Sequence, residues 1–185
     1  MQQEKLNPQT IEAEGQRLFA QKQYEEAAER FALAQRAFAE TDHELKAAEM
    51  LNNVGVVYRR AGKHKEAANA LEEARQTFAR LGDQRRQAQA LGNLGGLYSK
   101  MKRYDESAAC FQEAIGLFGE LDDRARQAET LRAMAIMQFK RGQRSQALST
   151  YEEALYFLPN PTFLQRLLRL LLKIRGWILS TPPFR

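Results

Sequence analysis

The stretch Leu91-Gly-Asn-Leu-Gly-Gly-Leu-Tyr98 sets a pattern that the rest of the chain repeats. It places large apolar residues at helical spacing around a small one, and residues 104–114 continue with a second apolar stripe. The arrangement returns in steps of 40 residues, and four copies keep a small residue in register: Gly15, Gly55, Gly95 and Ala135. The sequence therefore predicts four successive helix pairs.

The small residue in each copy has a steric explanation. Glycine or alanine at a helix crossing lets the two helices approach, and large residues on either side fill the remaining space. One pair cannot bury its apolar face alone, so the pairs must stack. The pattern Leu-x2-Leu-Gly-x2-Tyr, followed by Ser107, Phe111 and Ala114, resembles the tetratricopeptide repeat (TPR) in its long, 40-residue form. The resemblance covers roughly residues 9–159.

The resemblance implies an all-α fold, an α-solenoid of four TPR-like helix–turn–helix repeats followed by a C-terminal amphipathic capping helix. The repeats are expected at about residues 8–41, 42–82, 83–122 and 123–160, the C-terminal helix at 161–179 and a tail at 180–185. Asn7 should cap the first helix, with Pro8 in its first position. Turns and N-caps between repeats are expected at Thr41-Asp42, Gly82-Asp83 and Asp122-Asp123.

Composition and charge reduce the number of functions that the chain can have. With 44% apolar and 28% charged residues, the chain has the composition of a soluble helical protein. Its net charge of +5 is uneven, because residues 1–50 carry −4 and residues 51–185 carry +9. A basic C-terminal part favours an acidic partner, an anionic membrane surface or nucleic acid, or else it serves solubility alone. The first residues lack the apolar core of a secretory signal, so we expect a cytoplasmic protein.

The sequence offers little from which a catalytic site can be built. His43 and His64 are the two side chains with an acid–base group near neutrality, and no nucleophile, base and orienting group can be combined. Cys110 is the single cysteine, which excludes a disulfide within the chain, and there is no Cys/His cluster for zinc. We therefore predict a protein that is not an enzyme and needs no cofactor or metal.

In proteins with this repeat, the first helix of each pair lines a concave surface that holds an extended peptide or a partner helix. The resemblance places these groove residues in the chain: Phe19, Asn52, Asn53, Val56, Arg59, Arg60, Asn93, Lys100, Arg132, Ile136, Phe139 and Lys140. Asn53 and Asn93 lie one period apart, and asparagine can donate to and accept from a peptide backbone. Alternatively, the asparagines are only solvated, and the cations complement helix dipoles, although Arg132 is not at a helix C-terminus.

Residues 162–179 form a helix whose apolar surface covers more than half of its circumference. A cap on the last repeat needs only one apolar stripe, so the surplus indicates a second contact with a partner helix, a second copy of the chain or an anionic membrane. The residues expected to form this contact surface are Arg166, Arg169, Leu170, Leu172, Lys173 and Trp177. Four cations make the segment too polar for a transmembrane span.

The function predicted from these features is a non-enzymatic scaffold, an adaptor or assembly factor that binds a peptide or helix of a partner protein in its groove. The alternative is a peripheral membrane tether, in which the C-terminal helix docks on lipid and the repeats recruit a protein. Nucleic-acid binding is not favoured, because the basic residues are interleaved with acidic ones and no aromatic stacking platform accompanies them.

Overall fold

The computed structural model describes residues 7–159 and 162–180, and within the last helix it describes the side chains of residues 163–168 and 170–172. The described residues form the helices α1 (Pro8–Ala20), α2 (Tyr24–Ala39), α3 (Glu44–Ala61), α4 (His64–Arg80), α5 (Gln84–Lys100), α6 (Tyr104–Glu120), α7 (Arg124–Lys140), α8 (Arg144–Phe157) and α9 (Phe163–Ser180). Each regular element in these ranges is an α-helix. This confirms the predicted all-α, solenoid-type fold of helix–turn–helix units with a C-terminal helix.

The helices follow one another at half the step seen in the sequence. From α2 to α8 a new helix begins every 20 residues. A residue with left-handed backbone stands in each turn at the same step: Lys22, Asp42, Gly62, Gly82, Lys102, Asp122 and Gly142. Of these residues, Asp42, Gly82 and Asp122 lie in the turns that the sequence predicts. Lys22 and Lys102 were not predicted as turn residues, because lysine rarely adopts a positive φ.

Side-chain caps mark several of the helix starts. The Asn7 side chain accepts a hydrogen bond from the Gln9 amide, as predicted. Asp83 and Asp123 cap α5 and α7 by accepting from the backbone amides three residues later, at 2.9 and 3.3 Å. The turn before α3 differs: Asp42 occupies the left-handed position, and His43 is the N-cap residue without a side-chain capping bond.

The chain forms two compact units, Met1–Ala114 and Ile115–Arg185, and α6 contributes residues to both. In the first unit, each of the helices α1 to α4 packs against the next one, and α3 also touches α5. Close helix crossings lie at Gly15, Gly55 and Gly95, each of which faces the side chain 16 residues later. At the third crossing, the buried Ser107 hydroxyl donates to the Gly95 carbonyl at 2.7 Å.

Buried aromatic rings fill the space on either side of these crossings. Phe31 and Phe38 of α2 join Met50 in a core between α1, α2 and α3. Phe78 of α4 packs in the same way between α3 and α5, against Ala48 and Ala90. Glu14 stands where the repeat pattern calls for a large apolar residue. Its carboxylate pairs with Arg30 at 3.3 Å on the half-exposed edge of α1 and α2, which explains why a charge is tolerated there.

In the second unit, α7 packs along α8, and α8 contacts α9. The buried positions include Leu131 and Ala135 of α7 and Leu155 of α8. The last helix begins with a reciprocal capping pair, because the Gln165 amide donates to the Thr162 hydroxyl while the Thr162 amide donates to the Gln165 side chain. Within the described ranges, no helix has the length and hydropathy required to cross a bilayer.

Candidate functional site

The face shared by α3 and α5 in the first unit carries most of the predicted groove residues. Asn93 donates its side-chain amide to the Asn52 side-chain oxygen at 3.2 Å. Further along, the Lys100 ammonium donates to the carbonyl of Arg59 at 3.3 Å. These two bonds connect α3 and α5 along one face. The asparagine bond lies near the middle of the two helices, and the lysine bond lies near their C-terminal ends.

Two glycines leave α5 without side chains beside these bonds: Gly92 precedes Asn93, and Gly96 lies between Asn93 and Lys100. Gly92 and Gly96 lie one helical turn apart, and a Cβ atom added to Gly92 would meet nothing within 4 Å. A Cβ atom added to Gly96 would lie 2.7 Å from Nη1 of Arg59. The arginine side chain therefore reaches across from α3 and rests where a larger residue on α5 would stand. The contact between Arg59 and Gly96 was not predicted from the sequence. It forms because Gly96 has no side chain that would keep the arginine away from α5, and the repeat pattern does not show which side chain fills that space.

Arg59 is half-buried at this position. Burial lowers its pKa from the ordinary value, and the positive charge of Arg60 lowers the pKa further. Among the residues that the structure describes, no hydrogen-bond acceptor or carboxylate contacts the guanidinium. Burial therefore disfavours the charge, and no described residue compensates for it.

Charges at the other end of the same face are neutralised. Near the N-terminal ends of α3 and α5, Glu49 accepts from Lys46 at 2.8 Å and forms an ion pair with Arg86. Arg86 also pairs with the capping Asp83 at 2.6 Å. The α3–α5 face thus changes along its length from balanced charge at Glu49 to uncompensated positive charge at Arg59.

Other predicted groove residues in this unit are less available than expected. Phe19 is half-buried and packs on Tyr24 with 5.9 Å between ring centroids, and Val56 packs against the Leu94 and Leu97 core. Asn53 is also half-buried. The asparagine that Asn93 contacts is Asn52, and the binding of a peptide backbone by Asn53 and Asn93 stays a prediction.

In the second unit, α7 exposes apolar side chains. Ile136 is 51% exposed and Phe139 is 62% exposed, and Arg132 and Lys140 are exposed on the same helix. A cavity of about 120 Å³ opens beside Arg132, and its walls are Ala128, Glu129, Tyr151, Ala154, Leu155, Leu158 and Gln165. This volume is enough for one small side chain, so the unit offers an apolar helix face next to a shallow cleft.

The C-terminal helix leaves much of its apolar surface uncovered. Five large side chains are between 41% and 82% exposed: Phe163, Leu164, Leu167, Leu170 and Leu171. The predicted contact residue Leu170 is among them, and Arg166 is exposed as well. Leu172 is 8% exposed, so its assignment to an exposed contact surface was wrong: it belongs to the covered side of α9. The side chains of Arg169, Lys173 and Trp177 lie outside the described residues.

Side chains with acid–base chemistry stand apart from these faces. His43 lies in the turn before α3, with its Nδ1 atom 2.7 Å from the Thr41 carbonyl, and His64 is half-buried at the start of α4. Burial raises the pKa of the Cys110 thiol to about 11, which makes it a poor nucleophile at neutral pH. No group of potential metal ligands occurs in the part of the chain that the structure describes.

Comparison with known proteins assigns the repeats to a family. Residues 13–161 match the family model described as soluble NSF attachment protein, SNAP. The chain belongs to this family. Membership confirms the prediction of a TPR-like helical repeat protein at the level of the superfamily. None of the curated protein sequences matches the chain.

Solved structures similar to this SNAP-family chain support the fold. One is BtubC (BKLC) from P. vanneervenii, with a TM-score of 0.73 and 23% identity over 84% of this chain and 67% of that protein. Another is aspartyl phosphate phosphatase F from Bacillus subtilis, with a TM-score of 0.74 and 15% identity over 84% of this chain and 42% of the phosphatase. At these identities, the likeness concerns the fold alone.

Proposed function

We propose that this SNAP-family chain is a non-enzymatic adaptor or assembly factor that binds a peptide or helix of a partner protein along the α3–α5 face. The observation that carries the proposal is the open strip of α5 at Gly92, next to the Asn52–Asn93 pair. The family description, an attachment protein, agrees with a role in binding another protein. In the second unit, considered by itself, the exposed Ile136 and Phe139 of α7 suit apolar contacts with a protein, and Arg132 on the same helix suits an acidic group.

The chemistry of the strip suits an extended chain. After the bond between the two asparagines, Asn52 retains amide hydrogens and Asn93 retains its side-chain oxygen for a ligand. A peptide backbone presents both a carbonyl and an amide in each residue, so it can use both groups. Bare helix backbone at Gly92 lets such a chain approach closely.

We also propose that the repeats are of the long, 40-residue TPR type, divided at about residues 8–41, 42–82, 83–122 and 123–160. The starts of α3, α5 and α7 at residues 44, 84 and 124 support this division. The proposed location is the cytoplasm, where a reduced Cys110 is expected.

Site-specific photo-crosslinking tests the binding face. A photoreactive phenylalanine analogue replaces Gly92 in one variant and Gly116 in the control, and each is expressed in the source cells and irradiated. Neither glycine has a neighbour within 4 Å of an added Cβ, so both sites accept the probe, but Gly116 lies on the exposed side of α6. We expect protein adducts from position 92 only. Equal adducts at both positions, or none at position 92, would refute the groove.

A second candidate function is a peripheral membrane tether, and the exposed side chains of α9 favour it. An amphipathic helix with uncovered leucines and neighbouring cations can lie in a bilayer interface. Flotation with anionic vesicles tests this for the full chain, for Leu167→Glu with Leu170→Glu, and for the control Leu81→Glu, an exposed leucine of the first unit. We expect only the α9 variant to lose flotation. If the unaltered chain stays at the bottom of the gradient, the tether is wrong.

A further inference from the structure

We infer that Arg59, seated on the bare backbone of Gly96, is a binding site for a side-chain carboxylate of an acidic protein segment. The inference deepens the proposed function, since it names the chemistry of the partner segment that reaches the basic end of the α3–α5 face. It rests on that face being the binding surface.

The first argument is that, among the described residues, Arg59 is half-buried without a carboxylate partner, whereas five other arginines of the first unit have one. Those arginines pair with carboxylates: Arg30 with Glu14, Arg75 with Glu72, Arg80 with Glu44, Arg86 with Asp83 and Glu49, and Arg103 with Glu106. Arg59 makes no such pair among the described residues, although it is half-buried. A cation that is removed from water without a partner is the unfavourable case, so a carboxylate from outside would gain an already desolvated guanidinium.

The second argument is the shape of the seat. Gly96 has no side chain, and Nη1 of Arg59 occupies the space where one would stand, so the guanidinium lies against the α5 helix. A half-buried guanidinium that already lies on the face has fewer rotamers to lose on binding than an extended, solvated arginine. Planar guanidinium groups also match carboxylates in two-point hydrogen bonding.

The third argument is the charge around the seat. Arg60 is close enough to lower the pKa of Arg59, and Lys100 lies against the Arg59 carbonyl. In the described residues, neither cation has a carboxylate partner. Three positive charges at one end of the face favour a segment with more than one acidic residue, while the Asn52–Asn93 pair further along suits its backbone. A recessed, half-buried guanidinium is reached more easily by an extended chain than by a bilayer or a duplex.

Fluorescence anisotropy with a labelled, C-terminally amidated hexaglutamate peptide tests the site on the full chain. Hexaglutamine, oligothymidylate and anionic vesicles are the comparison ligands. The decisive variant is Arg59→Gln, and its control is Arg36→Gln, which removes an equal charge from an exposed position on α2. We expect Arg59→Gln to weaken hexaglutamate binding by about 10- to 100-fold, and Arg36→Gln by less than about twofold. The inference would be overturned if the two variants lost hexaglutamate affinity equally. It would also be overturned if oligothymidylate or vesicles bound the unaltered chain more tightly than hexaglutamate does and lost that binding in Arg59→Gln.

Gly96→Ala provides a second test that keeps every charge. The added methyl group displaces the Arg59 side chain, and Gly116→Ala is the control for the gain in helix propensity. We expect weaker hexaglutamate binding in Gly96→Ala alone, with both variants at least as stable as the unaltered chain in thermal melting. Unchanged binding in Gly96→Ala would show that the seat does not matter.

The two proposals fail in different ways. Adducts at position 92 together with unchanged hexaglutamate binding in Arg59→Gln would retain the groove and reject the carboxylate site. The absence of adducts at position 92 would reject the groove, whatever affinity is measured for hexaglutamate.

Discussion

Two glycines in one helix should respond in opposite ways to the same substitution. Gly92 and Gly95 both lie inside α5, so replacing either with alanine improves helix propensity by about 1 kcal/mol. The surroundings differ. An added Cβ at Gly92 meets nothing within 4 Å, whereas at Gly95 it lies 2.8 Å from two carbon atoms of the Phe111 ring.

The magnitude follows from the contact at Gly95. Phe111 is 2% exposed and is held in the core, so its ring cannot swing into solvent. Overpacking a buried site costs about 1–3 kcal/mol. After the gain in propensity, we expect Gly95→Ala to destabilise the chain by about 0–2 kcal/mol, and Gly92→Ala to stabilise it by about 1 kcal/mol. Gly95→Leu, with more atoms to accommodate, should be the least stable of the three.

Thermal melting followed by circular dichroism measures these differences. A change of 1 kcal/mol corresponds to about 2–4 °C in Tm for a chain of this size, so the two alanine variants should differ by at least about 2 °C. Urea unfolding supplies the free energies independently. If Gly95→Ala raises the Tm as much as Gly92→Ala does, Gly95 does not mark a close helix crossing, and the steric explanation of the repeat pattern is wrong.

Three other substitutions and one chemical treatment have defined outcomes. Lys102→Gly should raise stability by about 1 kcal/mol, because Lys102 has a φ of 61°, and Gly62→Ala should lower it by a similar amount in the same melting assay. Asp123→Ala should cost about 1–2 kcal/mol in urea unfolding, since it removes the N-cap of α7 and the 2.5 Å ion pair with Arg126; an unaffected midpoint would show that the cap is dispensable. At pH 8 the Cys110 thiol should react with iodoacetamide about 100-fold more slowly than an exposed cysteine, because its pKa of about 11 leaves little thiolate, and unfolding in urea should remove the difference.

Local chemistry explains why much of the fold could be predicted from the sequence. Helix starts depend on the residue at the cap, so Asn7, Asp83 and Asp123 were identified correctly. A close crossing requires a residue without a large side chain, so the 40-residue register of Gly15, Gly55 and Gly95 located three crossings. The groove residues stay a prediction that the crosslinking experiment addresses.

The sequence by itself determined the helical repeats, their register and the membership in a TPR-like superfamily, because these depend on periodic spacing within a short segment. Only the tertiary structure decided which side chains meet across helices. It pairs Asn93 with Asn52, covers Leu172, and brings Arg59 onto Gly96 while the acid Glu49 stays at the far end of the same face. The physical reason is that burial and charge pairing depend on the rotation and offset of each helix against its neighbour, which helical periodicity within one segment does not specify.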